Sequence, residues 1–350
     1  MIGRFTRAVV AVTALGTLAA TAACGVDSGT EASPGGAGKS KALKVGWSTI
    51  YLTPSWMQQT DKMMKDDVAK LKQEGEIADY QVFNANGDTS QQIAQIRAMI
   101  QQKYDVIIVD AGSSTALNPA LEQAVDAGIT VVNFDSLVTS GKVVRVGTDQ
   151  KEWGRMMGQW LGDRLAGKGK IIAFNGPAGV AVSEERWQGA EEALKKYPGI
   201  KIVANVHSEY NLAPAAQAFA SAYSANPGID GVFSQGGALS AAALQTLVKQ
   251  KKKLVPITGE NYNGFLKLWK EHESGGFSSL STAQPNYLGV IALRAAVAKA
   301  GGASVPNQIT VPLPKITDEN LDQYVKPDQP DDSYPIPALP QSEIDKLIGK

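Results

Sequence analysis

The sequence predicts an α/β protein of two doubly wound, parallel-sheet lobes joined by a hinge that the chain crosses more than once. Three observations carry this reading. From Ala42 onward, short β-branched runs alternate with amphipathic stretches of helical length, the pattern of parallel βαβ units. The alternation comes in two successive series of similar make-up, which describes two lobes of related build. One further helix and one further strand follow the second series, and their economical placement is back in the first lobe.

In the first series, strands are expected at 44–48 (KVGWS), 80–85 (YQVFNA), 105–111 (DVIIVDA) and 129–135 (ITVVNFD), separated by helices at 56–73, 90–102 and 117–127. Gly128 ends the last of these as a helix-terminating glycine should. The polar run NANGDTS at 84–90 lacks the full Ca²⁺-loop spacing and reads as a strand-to-helix turn in which Asp88, Thr89 or Ser90 caps the next helix. The second series gives strands KIIAFNG, KIVANVHS, DGVFSQG, KLVPITGE and GGFSSLSTA, with helices at 153–165, 184–196, 214–224, 239–249 and 264–273. A helix at 285–300 and a strand at 308–313 complete the set. Both sheets should be buried on both faces, because crossover helices cover them. The first lobe is therefore expected to comprise 42–147 and 285–312, and the second 148–284 and 313–350. In the second, a proline-rich tail runs extended over a surface and ends in a short helix at 342–347.

The single cysteine of the chain, Cys24, fixes the expected compartment. Arg4 and Arg7 flank the start of a short apolar run that ends in small residues and TAAC, which reads as a secretory signal and not a membrane span. The segment resembles a lipoprotein signal (lipobox), with Thr21 where Leu is usual. That resemblance implies a signal peptide at 1–23 and lipidation of Cys24, with a Gly/Ser/Ala/Pro-rich linker at 24–41 as tether. Within the linker, GGAGKS ends like a phosphate loop, but Ser33 occupies the first glycine position and no strand precedes it. Acidic and basic residues balance at 34 each, so nothing attracts nucleic acid.

The search for catalysis is negative. His207 and His272 are the only histidines, neither lies near a nucleophile motif, and no G-x-S-x-G or H-E-x-x-H pattern occurs. No metal and no cofactor is expected. What remains is a set of polar and aromatic residues at the carboxyl ends of expected strands, where open α/β sheets hold ligands. In the first lobe these are Thr53 and Trp56 after the first strand, Asp110, Asp135, and Thr148 at the crossing. In the second they are Arg186, Tyr210, Gln235, Glu260 and Asn261, and Gln284 closes the list. Carboxylates and amides, an arginine fork and aromatic faces together suit an uncharged ligand dense in hydroxyls. Each member also has a plainer role. Asp110 and Asp135 would also serve as helix caps, Arg186 as the partner of Glu184 or Glu185, and Trp56 as interior packing.

From Leu43 to Leu313 the chain resembles the type I periplasmic binding proteins of sugar ABC importers, similar to ribose-binding proteins. The resemblance rests on KVGWSTIYLTPSW, NANGDTSQQIAQIRAMIQQKYDVIIVDA, DAGITVVNFDS, GPAGVAVSEERWQGAEEAL, NPGIDGVFSQGGALSAAAL and ITGENYNG in register. It implies that Trp56 and Tyr210 stack on a sugar ring, that Thr53 is a polar neighbour in the loop of Trp56, and that Asp110 takes the place of a polar residue ending the third strand. It further implies that Asp135 accepts from sugar hydroxyls, Arg186 reaches across from the second lobe, and Gln284 sits at the hinge. Ser136, Gly236, Gly237, Glu260 and Asn261 depart from the ribose-type pattern, and the two glycines are expected to leave room for a larger, differently oriented or non-pyranose ligand such as a polyol.

The function this implies is an extracytoplasmic, monomeric, lipid-anchored binding protein, not an enzyme, that captures a small sugar or polyol and presents it to an ABC permease with its ATPase. The alternative is a sensor module for a nucleoside or furanosyl signalling molecule. A transcription regulator shares the lobes but needs a DNA-binding element where this chain has a signal.

Overall fold

The computed structural model describes residues 41–350. The expected signal peptide, Cys24 and nearly all of the linker lie outside the described residues. Strands β1 (Leu43–Thr49), β2 (Ile77–Asn84), β3 (Val106–Asp110), β4 (Thr130–Phe134), β5 (Val144–Gly147) and β11 (Gln308–Thr310) form one six-stranded parallel sheet in the order β2-β1-β3-β4-β5-β11. Helices α1 (Ser55–Gln73), α2 (Thr89–Gln101), α3 (Asn118–Asp126) and α9 (Leu288–Ala300) cover it. β3 is buried along its whole length, as its unbroken VIIV run requires of a strand with helices on both faces. Asp88 caps α2, its Oδ1 accepting from the N–H groups of Ser90 and Gln91. α9 is apolar almost all round, and Arg294 on it pairs bidentately with the buried Asp67 of α1, both contacts at 2.7 Å.

The second lobe repeats the topology. β6 (Lys168–Asn175) lies between β7 (Gly199–His207) and β8 (Gly231–Ser234), and a bridge from Val232 to Ile257 leads to β9 (Gly259–Glu260), which pairs with β10 (Ser281–Thr282). The long fourth and fifth strands expected here are only two residues each. Pro256 has no N–H to offer, and its carbonyl alone serves the ladder by accepting from Val232 N at 2.9 Å. The layers are completed by α4 (Gln150–Arg164), α5 (Ala181–Leu194), α6 (Leu212–Ala225), α7 (Gly237–Lys249) and α8 (Asn263–His272). In both lobes the order of the first three strands creates a switch point, between β1 and β3 and between β6 and β8, and the crevice above such points is where ligands bind.

α4 and α5 meet at backbone contact. A Cβ on Gly154 would stand 1.7 Å from the Arg186 carbonyl oxygen, and one on Gly189 would stand 2.0 Å from that of Lys151. Glycine here permits the approach that fixes where Arg186 emerges.

The tail corrects one expectation. Residues 313–350 do not all belong with the second lobe: Ile316, Leu321, Tyr324 and Tyr334 join its core, but Ile344 and Ile348 of α11 (Gln341–Ile348) are buried in the first-lobe core with α9 and Ile309. The i, i+4 spacing of the two isoleucines gives this short helix one apolar stripe, and the first lobe covers it.

Candidate functional site

Thr49 and Asp110 are register partners at the carboxyl ends of β1 and β3, and the Thr49 hydroxyl donates to Asp110 Oδ2 at 3.0 Å. Asp110 is buried, and its Oδ1 has no hydrogen-bond partner among the described residues. Burial, with Asp135 adding like charge, pushes the Asp110 carboxyl up to about 8. Asp135 follows β4 with φ +61°, a left-handed conformation that Asp tolerates better than most residues, and this turn directs its carboxylate inward. Burial raises its pKa too, against the opposing effects of Gln284 and Arg186.

Across the hinge runs one continuous chain of side-chain bonds. Arg186 Nε donates to Gln150 Oε1 at 2.8 Å, and Gln150 Nε2 donates to Gln284 Oε1 at 3.2 Å and to Thr148 Oγ1 at 2.9 Å. The Thr148 hydroxyl donates to the same Gln284 oxygen at 2.6 Å, and Gln284 Nε2 donates to Asp135 Oδ1 at 2.5 Å. The charges at the two ends set the direction. A guanidinium only donates, so Gln150 must turn its oxygen to Arg186 and its amide nitrogen to Gln284, which then has only N–H left for the carboxylate.

On the second-lobe side, Arg186 Nη1 donates to the Gln235 carbonyl at 2.8 Å, and the guanidinium lies 3.5 Å from the centroid of the buried Trp153 ring. Gln235 Nε2 donates to Asn175 Oδ1 at 2.6 Å and its Oε1 accepts from the Tyr210 hydroxyl at 3.2 Å. Two of the five Arg186 N–H groups are thus used within the protein, and none of the ion pairs among the described residues joins Arg186 to Asp135. Glu260 accepts from the Gly237 N–H at the N-terminus of α7, which favours its charge, while burial is the largest influence and raises its pKa. The tyrosine hydroxyl of Tyr210 is pushed up to about 12, chiefly by burial.

The expected residues thus divide. Asp110, Asp135, Thr148, Arg186, Tyr210, Gln235, Glu260 and Gln284 meet in one interlobe cluster. Trp56 borders it, held by an Nε1–H bond to the Gln284 carbonyl at 2.8 Å and packed against both lobes' cores. Thr53 is exposed, and only its carbonyl is engaged, by Gln58. Asn261 is wholly buried but gives its Nδ2 to the Pro335 carbonyl of the tail at 2.8 Å, leaving Oδ1 unpartnered. The room expected at Gly236 and Gly237 is filled: added Cβ atoms would meet the Tyr210 ring at 2.8 Å and Tyr262 Cβ at 2.2 Å. Sequence reasoning passed over Gln150, which carried a usable signal, standing beside Thr148 at the lobe crossing.

A family model for the periplasmic binding protein domain matches residues 45–304, well over half the chain. The chain belongs to that family. Members are extracytoplasmic solute-binding proteins of transport systems, and this periplasmic-type binding protein has their fold. It is 30% identical over 249 residues to the xylitol-binding protein of Mycolicibacterium smegmatis, covering 69% of this chain and 70% of the relative. It is 23% identical to the ribose import binding protein of Bacillus subtilis, over 83% of this chain and 92% of that protein. Among solved structures it resembles an ABC transporter solute-binding protein from Thermobispora bispora with TM-score 0.79 at 24% identity, covering 88% and 95% of the two chains. A solute-binding protein from Mycobacterium smegmatis with bound glycerol matches at TM-score 0.73 and 26% identity, over 85% and 100%. No helix among the described residues is long and apolar enough to cross a membrane.

Proposed function

We propose that this binding protein captures a small sugar or polyol between its lobes and delivers it, as a monomer anchored through Cys24, to an ABC importer. The observation that carries the reading is the pairing of Asp135 and Arg186 across the cleft: each is tied to the hinge glutamines, neither is tied to the other, and each keeps capacity for a ligand. Unpartnered buried oxygens of Asp110 and Ser183 in the same region suit a ligand with many hydroxyls, since burying them without donors is costly. The xylitol-binding relative and the glycerol-bound neighbour support a polyol within this class. Ligand contacts drawn from both lobes stabilise the closed form by differential affinity, which is what a permease reads.

The test is calorimetric titration of the purified protein with pentoses, hexoses, polyols and nucleosides. A micromolar sugar or polyol, about −8 kcal/mol, is expected, and Asp135→Ala or Arg186→Ala should weaken it roughly tenfold to a few hundredfold. In small-angle scattering at saturating ligand, Arg186→Ala should stay more open than Asp135→Ala. Binding of nucleosides alone, or wild-type behaviour of both variants, would sink the reading.

A further inference from the structure

The tail does more than cover a surface. Asn263 at the start of α8 grips it from the second lobe: its Nδ2 donates to the carbonyls of Lys326, Gln329 and Pro330, and its Oδ1 accepts from Lys326 N. The Asn263 and Gly264 N–H groups donate to Ser333 O and Asp331 O, both at 2.8 Å. The next residue is then caught from the first lobe. Gln59 of α1 pairs with the Tyr334 main chain as a strand would, Nε2 donating to its carbonyl and Oε1 accepting its N–H, each at 3.0 Å. The chain goes on into the first lobe as α11, so the segment is a fourth connection between the lobes, additional to those near 148, 284 and 312.

At the crossing, Tyr334 points into the molecule. It is 3% exposed, and its ring meets Tyr262 edge-on with centroids 5.4 Å apart. Its backbone is held beside the cluster from both lobes, by Gln59 one turn along α1 from Trp56 and, at the next residue, by Asn261 next to Glu260, the Asn261 Nδ2 donating to the Pro335 carbonyl. Burial raises the pKa of its hydroxyl well above the ordinary value. A buried phenol so placed is suited to give and accept one hydrogen bond each with a hydroxylated ligand.

We propose that Tyr334, delivered by this C-terminal strap, is a ligand-contacting wall of the cleft and sets the size of ligand admitted. The proposal rests on the sugar-or-polyol reading above. Glycerol, xylitol, myo-inositol, ribose and glucose titrated into wild type, Tyr334→Phe and Tyr334→Ala provide the test. Tyr334→Phe, which removes one oxygen, should weaken the best ligand about 2- to 10-fold with unchanged melting temperature. Tyr334→Ala should shift the affinity ratio of larger to smaller ligands upward by about tenfold or more; if it does not fold, Tyr334→Leu carries the same comparison. Wild-type affinities and rank order in the variants refute the wall alone. A wild-type protein that binds none of the five refutes the sugar-or-polyol reading, and the wall with it.

Discussion

Gln284 donates its amide hydrogen to Asp135 Oδ1 across 2.5 Å, and so connects the hinge to the first-lobe carboxylate. The same side chain accepts from Thr148 and Gln150, so a polarised line of bonds runs from the Arg186 cation to the Asp135 carboxylate without the two touching. Gln284→Leu keeps the volume but strands three partners in a buried setting. It should cost about 1–3 kcal/mol of stability by denaturant titration and weaken ligand binding; a loss under about 0.5 kcal/mol would show that the line is incidental.

Asp110 titrates far above its unfolded value, so between about pH 4 and 8 the folded state holds a proton that the unfolded chain has lost. The sign follows: this group opposes folding increasingly as pH rises through that window. A ligand hydroxyl donating to the Asp110–Asp135 pair favours the charged form, lowers the pKa and expels protons. Calorimetry near pH 7 in buffers of different ionisation enthalpy should reveal proton release on binding, reduced in Asp110→Asn. Buffer-independent heats in the wild type would rule this out.

Gly154→Ala puts a methyl group 1.7 Å from the Arg186 carbonyl oxygen, backbone against backbone, where no rotamer change relieves it. The helices must part, at about 1–3 kcal/mol or more, and Arg186 must leave its seat over Trp153. Reduced melting temperature together with weakened ligand affinity is expected. Lost stability with wild-type affinity would uncouple this helix contact from the site.

Cys24→Ser should release the protein from membranes into the medium, with no diacyl mass on its N-terminus, whereas the wild type is expected to carry one. Retention of the variant on membranes would show that Cys24 is not the anchor.

Much of the architecture was legible because it is written locally. The unbroken VIIVD of β3, the alternating strand and helix lengths, and Asp88 before α2 each encode their element in a few consecutive residues, and parallel βαβ order then follows from chirality and burial. The strand-end rule also singled out most of the cluster, since Asp110, Asp135 and Gln235 must emerge at the crevice if their strands form at all. The expected strand lengths failed for β9 and β10, which survive as two residues each, because pairing there is limited by Pro256 and by the tail bridging at Ile316.

By itself, then, the sequence determined the α/β class, the two series of units, and the residue types at the ends of the strands. Tertiary structure alone decided what those residues do. Asn261 holds Pro335 of the tail, Gly236 admits the Tyr210 ring and Gly237 the Cβ of Tyr262, and Gln59 pairs with a residue 275 positions away in the chain. The physical reason is range: propensity, capping and periodicity act over a few residues, whereas the polarity of a buried amide or the path of a strap is settled only when distant donors and acceptors must all be satisfied in one enclosed space.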